Sequence, residues 1–176
     1  MRFIIGFIVA IILIVAGLYV FLEFGFMSFR ADQSPSGFET KYAMKAVDAS
    51  TKRNAPPLPN PFPVTDASLL ASVKLYKEHC ASCHGDPVTQ QRVLGKSFYP
   101  PAPQFMTDAP DMPANQNFYI IKHGIRFTGM PAWGKLLSDN QIWQLTAFLS
   151  QMKKLPPPVD QEWQQGENTA KPENEN

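Results

Sequence analysis

Twenty consecutive residues, from Phe3 to Leu22 (FIIGFIVAIILIVAGLYVFL), carry no charge. About 20 apolar residues are what a helix rising ~1.5 Å per residue needs to cross a ~30 Å hydrocarbon core. A helix also satisfies all of its backbone polar groups internally, as a lipid-facing span must. Residues 1–30 therefore read as a transmembrane anchor. Tyr19, Phe24, Phe26 and Phe29 suit its interfacial belt. Arg2 and the amino terminus are the only positive charges ahead of the span and favour a cytoplasmic N-terminus, with the remainder outside. The alternative is a cleaved signal peptide. That needs an apolar core of only ~7–15 residues and a small-residue cleavage site, and Glu23-Phe24-Gly25-Phe26 is a poor one. Either reading exports the rest of the chain.

Beyond the anchor, residues 31–65 read as a linker. Phe38 to Arg53 is either a short helix, with Phe38, Tyr42 and Ala46 at i, i+4 spacing, or a solvated segment. Asn54 to Pro63 (NAPPLPNPFP) holds five prolines and is expected to be extended polyproline II, a spacer at ~3.1 Å per residue. The tail, residues 156–176, opens with three prolines. It holds five acidic residues against Lys171 and is expected to be disordered. Residues 66–155 remain as one small domain. No internal repeat is found.

Composition narrows what that domain can be. A formal net charge of +1 over 176 residues argues against a nucleic-acid binder driven by bulk charge. Two cysteines are too few for a disulfide-dense scaffold. Periodicity predicts three helices. The first runs from about Asp66 to Ala81, capped by Thr65 or Asp66, with Leu69, Val73, Tyr76 and Cys80 along one stripe. The second covers about Asn115 to His123, with Phe118 and Ile121 inward and Gly124 placed to end it. The third begins at a capping box, Ser138 with Gln141, and buries Ile142, Leu145, Leu149 and Met152, with Trp143 and Phe148 flanking. Pro156 stops it. Pro87 to Pro113 reads as a proline-rich loop.

Cys80-Ala81-Ser82-Cys83-His84 is the C-x-x-C-H pattern of covalent haem c attachment. Two thiols a short turn apart can add to the two vinyl groups of one haem, and the next residue offers an imidazole to the iron. A thioredoxin-like C-x-x-C belongs in a βαβ context, whereas this motif ends a striped helix. A zinc site would need further ligands at matched spacing; a coincidental motif or a structural disulfide across two residues is the remaining alternative. For the sixth iron position the domain offers Met106, Met112, Met130 and Met152. Met152 has a packing explanation on the last helix, and His123 has one at a helix C-terminus. Met130 lies in Thr128-Gly129-Met130-Pro131, where glycine allows close backbone approach and proline restricts the chain beyond the thioether. It is the favoured ligand, with His123 its rival.

Residues 66–152 resemble a membrane-anchored, single-haem class I c-type cytochrome. Leu75 to Gly85 is similar to that family's first helix and attachment site, Thr128 to Pro131 to its axial-methionine loop, and Ile142 to Leu149 to its last helix. The resemblance implies an all-α fold of three main helices around one covalently bound haem, behind an N-terminal transmembrane helix. It implies iron ligation by His84 and Met130, and a crossing of the first and last helices at which Tyr76 meets Phe148. Ser72 stands where the family usually has glycine. Ala102-Pro103-Gln104-Phe105 resembles the loop whose proline carbonyl accepts a hydrogen bond from the ligating histidine, here Pro103 and His84. Trp133, Tyr99 and Arg126 are candidate haem contacts. Lys96, Lys122, Arg126 and Lys135 are candidates for steering an acidic partner.

The implied function is one-electron transfer, without bond chemistry, on the outer face of a bacterial cytoplasmic membrane. The protein would be either a tethered carrier or the cytochrome subunit of a respiratory or dehydrogenase complex, with a membrane-embedded redox complex or a redox protein as partner. A peroxidase-like enzyme or a haem-based sensor is the alternative if the sixth iron position is open.

Overall fold

The computed structural model describes residues 2–88 and 93–165. The chain divides into two compact units, Met1–Arg30 and Ala31–Asn176.

The first unit is helix α1, Arg2–Glu23, with no buried residue. It is long and apolar enough to cross a membrane. Its end is closed by Gly25 at φ 68, whose N–H donates to Leu22 O (3.2 Å), while the Phe26 N–H donates to Phe21 O (3.2 Å). These are the two bonds of a Schellman closure, which satisfies carbonyls the helix itself leaves open.

The second unit is all-α, with no strand among its described residues. Helix α2 spans Gly37–Asn54, and helix α3 spans Asp66–His79. Short turns follow, α4 at Ala81–His84 and α5 at Val93–Lys96. Then come α6 at Ala114–His123, a 3-10 turn at Trp133–Lys135, α7 at Asp139–Gln151 and α8 at Pro157–Gln164. The three expected helices are α3, α6 and α7. Thr65 and Ser68 form a reciprocal capping box on α3, and Ser138 and Gln141 form one on α7, so both helices start where their backbone donors find side-chain acceptors.

The core lies where α3 and α7 pack. Leu69, Val73 and Tyr76 of α3 meet Ile142, Leu145, Phe148 and Leu149 of α7, all buried. Ser72 is fully buried at this contact. Its Oγ stands 2.8 Å from Ser68 O and 3.0 Å from Gln144 O, so one hydroxyl serves a carbonyl of each helix. A hydroxyl without such acceptors would cost free energy when buried; here it ties the two helices together. On the other flank Phe118 of α6 stacks on Trp143 at 4.1 Å.

Two expectations need correction. The tail does not begin as unstructured chain. Pro157 and Pro158 lie at the first helical positions of α8, where their missing N–H groups cost nothing. Val159 and Trp163, four residues apart, are both buried. Trp163 meets Tyr76 (5.3 Å) and Phe148 (5.2 Å) edge-on, and these two rings lie 5.4 Å from each other. Lys77 Nζ donates to Glu162 O and Gln165 O at the C-terminal end of α8, where a cation is favoured. The rest of the tail, 166–176, lies outside the described residues.

The linker is likewise part of the second unit. Helix α2 forms, and its Thr51 is buried with Oγ1 3.5 Å from Gln116 Oε1 on α6. The proline-rich stretch is fastened down instead of spacing the domain away. Asn60 Nδ2 donates to Trp143 O (2.9 Å) and to Thr146 Oγ1 (3.0 Å), Asn115 Nδ2 donates to Pro56 O (2.9 Å), and Phe62 packs on the core. Prolines extend a chain, but the asparagine between them supplies the donor that docks it. Within the loop expected from Pro87 to Pro113, α5 forms a single turn, and residues 89–92 lie outside the described residues.

Candidate functional site

The C-x-x-C-H motif sits at the joint of α3 and α4. Cys80 ends α3, with its N–H donating to Tyr76 O. Its carbonyl then accepts from Cys83 (3.1 Å) and His84 (3.0 Å), which winds the motif into one tight turn. Gly85, at φ 82, leads the chain out, and its carbonyl is held by the Tyr76 hydroxyl at 2.9 Å. Neither cysteine is in a disulfide. Burial, with Cys83 as a secondary cause, pushes the Cys80 thiol up to about 12. A thioredoxin-like C-x-x-C belongs to a βαβ context, whereas this motif lies in an all-α unit with no strand among its described residues. Among the described residues no group of three or more His, Cys, Asp or Glu is placed together.

His84 is gripped by residues 102–105. Its Nδ1 stands 2.9 Å from Pro103 O. A carbonyl can only accept, so Nδ1 carries the hydrogen and Nε2 keeps its lone pair for a ligand. Burial holds the His84 pKa below its usual value, against a smaller opposing pull from the Pro103 bond, so the imidazole is kept neutral. Phe105 stacks on the ring at 4.2 Å and 9°. Its N–H donates to His84 O (3.0 Å), and Gln104 Nε2 donates to Cys83 O (2.9 Å). On another side α5 presses against the same turn: a Cβ on Gly95 would lie 1.9 Å from Cys83 O.

Met130 closes a separate loop. Gly124 ends α6 at φ 68, and a Cβ there would lie 2.7 Å from Met130 O. Ile125 N–H donates to Met130 O (3.2 Å), Thr128 Oγ1 donates to Ile125 O (2.8 Å), and the same Oγ1 accepts from Met130 N–H (3.1 Å). Phe127 takes φ 62 in this turn, with its side chain 91% exposed. A Cβ on Gly129 would lie 2.6 Å from the Phe98 ring, so the loop and that ring are in direct contact. Met130 itself is half-buried against the core.

The remaining candidates are dispersed. Tyr99 donates its hydroxyl to Glu39 of α2 (2.5 Å), and that bond raises its pKa. Trp133 lies 5.4 Å from the His79 ring. Arg126 and His123 are exposed, the latter 4.6 Å from the Tyr119 ring. Met106, Met112 and Met152 are each partly or well exposed. Lys122 is paired with Asp139 at 2.8 Å. Sequence reasoning missed Phe105, Gly95 and Trp163. Phe105 adjoins the quoted proline, but nothing in a loop sequence says that a ring will stack on a distant imidazole. Gly95 carries no signal without its neighbour Cys83, which only the fold supplies.

The donor set fits a haem c. Two thiols outside any disulfide share one turn with an imidazole whose Nδ1 is tied back to Pro103 O.

Residues 67–149 match the family model described as cytochrome c oxidase, cbb3-type, subunit III. A solved structure titled Kuenenia stuttgartiensis reducing HAO-like protein complex is similar at 24% identity with a TM-score of 0.41, over 53% of this chain and 48% of that one. This chain thus spans about half the length of that chain. No curated protein matches it.

Proposed function

We propose that this c-type cytochrome domain carries one haem, joined by thioether bonds to Cys80 and Cys83 and ligated by His84 Nε2 and the Met130 thioether, and that it moves single electrons on the outer face of the cytoplasmic membrane. The observation that carries the reading is the bond between His84 Nδ1 and Pro103 O, which leaves the lone pair on the other nitrogen, in a turn that also holds two thiols outside any disulfide. When bound, the iron supplies a one-electron couple, whose potential an imidazole–thioether ligand pair raises.

The chain's own residues supply orientation and exclusion of water. Pro103 sets the His84 tautomer and increases its basicity. Phe105 and Gln104 stop the α4 turn from rocking. The bonds among Ile125, Thr128 and Met130 fix the backbone from which the Met130 side chain projects, which lowers the entropy cost of ligation. With His84 and Met130 both holding the iron, no position would be left for a substrate, and the site would exchange electrons without making or breaking bonds. The apolar helix α1 anchors the domain. The partner is a membrane-embedded redox complex or a redox protein, and the chain serves either as a tethered carrier or as a cytochrome subunit.

Two variants test the reading. Cys80→Ser with Cys83→Ser, expressed with competent maturation machinery, should yield protein from which all haem extracts into acid–acetone; haem retained after that extraction overturns the attachment. Met130→Ala should abolish the methionine-to-iron charge-transfer band of the ferric protein. An unchanged band reassigns the sixth position. A Met130→Ala phenotype with no band in the parent either would place peroxidase-like or sensor chemistry ahead of electron transfer.

A further inference from the structure

We propose that the outward face of α2 is a docking surface for the anionic headgroups of the bilayer, which lays the cytochrome domain against the membrane instead of leaving it on a free tether. This rests on α1 being the membrane anchor.

Helix α2 has two unlike faces. Thr51 is buried and Val47 and Asp48 are half-buried; these turn the helix toward the rest of its unit, while Glu39, exposed and bonded to Tyr99, lies at the border of the other face beside Ala46. At 100° per residue the opposite face gathers Phe38, Tyr42, Ala46 and Ala49, flanked by Lys41, Lys45, Lys52 and Arg53, all exposed. Phe38 and Tyr42 are 74% and 51% exposed, and their rings touch at 4.5 Å. The helix carries four cations against two carboxylates, a net charge of +2; Asp48 pairs with Lys52 (2.8 Å) and Glu39 accepts from the Tyr99 hydroxyl, so Lys41, Lys45 and Arg53 carry the excess positive charge. Two exposed aromatics bordered on one flank by long cationic side chains match the boundary between headgroups and acyl chains: the rings enter the apolar edge while the cations meet phosphate.

Connectivity favours lipid over a protein as the occupant. Residues 24–36 alone join α1 to α2, a stretch of at most about 45 Å when fully extended. A weak membrane affinity on α2 is thereby multiplied by a high effective concentration of bilayer surface. The stretch itself carries Phe24, Phe26 and Phe29 at 72%, 69% and 84% exposure, the side chains of an interfacial belt.

The test uses the full haem-loaded chain in nanodiscs, with a spin label at Ala49→Cys in the middle of the face. Collision with lipid-soluble oxygen is compared with collision with a water-soluble nickel chelate. In discs containing phosphatidylglycerol the label should favour oxygen. The preference should fall in pure phosphatidylcholine discs and at high salt. A variant with Lys41→Gln, Lys45→Gln, Lys52→Gln and Arg53→Gln should return the label to water. Each cation near an anionic surface is worth about five-fold in docking, so the docked fraction should drop by about two to three orders of magnitude in ratio. Phe38→Ser with Tyr42→Ser should make the label shallower without removing its salt dependence. A label equally open to nickel in anionic and neutral discs overturns the proposal, as does shielding that appears only when an acidic protein is added. Failure of the haem reading is distinguishable: Cys80 and Cys83 would then take label too, giving three per chain instead of one.

Discussion

Residues 102–105 come from a distant stretch of chain and grip the α4 turn through His84 Nδ1, His84 O and Cys83 O, with the Phe105 ring laid on the imidazole. Residues 124–131, which present Met130, are folded mainly on themselves through Ile125, Thr128 and a left-handed Gly124. The histidine side is thus a tertiary construction, and the methionine side a local one. A locally folded turn can loosen without unfolding the domain, whereas the histidine side shares its supports with the core. Disturbances of the two sides should therefore separate global stability from ligand geometry.

Trp163→Ala gives the largest expected effect. Trp163 packs on Tyr76, whose hydroxyl holds Gly85 directly after His84. Removing a buried tryptophan costs about 3–5 kcal/mol, read as a lower denaturation midpoint. A loss below about 1 kcal/mol, within the range of a surface substitution, would show that α8 is not a support of the histidine side.

Gly95→Ala and Gly129→Ala sharpen the contrast as a pair. At Gly95 the new methyl meets backbone, Cys83 O at 1.9 Å; at Gly129 it meets the Phe98 ring at 2.6 Å, which can turn aside. The expected costs are about 3 kcal/mol and about 1 kcal/mol, with haem loading reduced in the first and retained in the second. Equal costs would break the distinction between a fixed and a yielding side.

The smallest effect belongs to Thr128→Ala. It removes a donor to Ile125 O and an acceptor for Met130 N–H in a half-exposed turn where water can replace them, a loss of about 0.5 kcal/mol. Because those bonds are local, the charge-transfer band should weaken or broaden while thermal unfolding moves little. A large fall in melting temperature with an intact band would reverse the assignment.

The elements that were readable in the chain are those whose causes are local. Helices α3 and α7 announce themselves through side chains within four residues of their starts, Thr65 with Ser68 and Ser138 with Gln141, and through stripes repeated over several turns. The turn at Cys80–His84 stands out in the sequence because the spacing of two thiols and an imidazole is itself local. What escaped depends on distant partners. Helix α8 offers only Val159 and Trp163 as apolar anchors behind three prolines, and its meaning comes from a gap beside Tyr76 and Phe148. Asn60 looks like one more linker residue until Trp143 O and Thr146 Oγ1 are placed beside it. Ser72, a departure from the expected glycine, is accommodated because Gln144 O lies within reach of its hydroxyl.

The anchoring of Asn60 and Trp163 bears on how the gene can be cut. A fragment trimmed to the recognisable stretch, 67–149, would leave Trp143 O and Thr146 Oγ1 without Asn60, and strip the aromatic cover from Tyr76 and Phe148. Expression boundaries drawn outside Ala31 and Gln165 keep those surfaces sealed, and soluble yield should follow the choice of end points more than the choice of host.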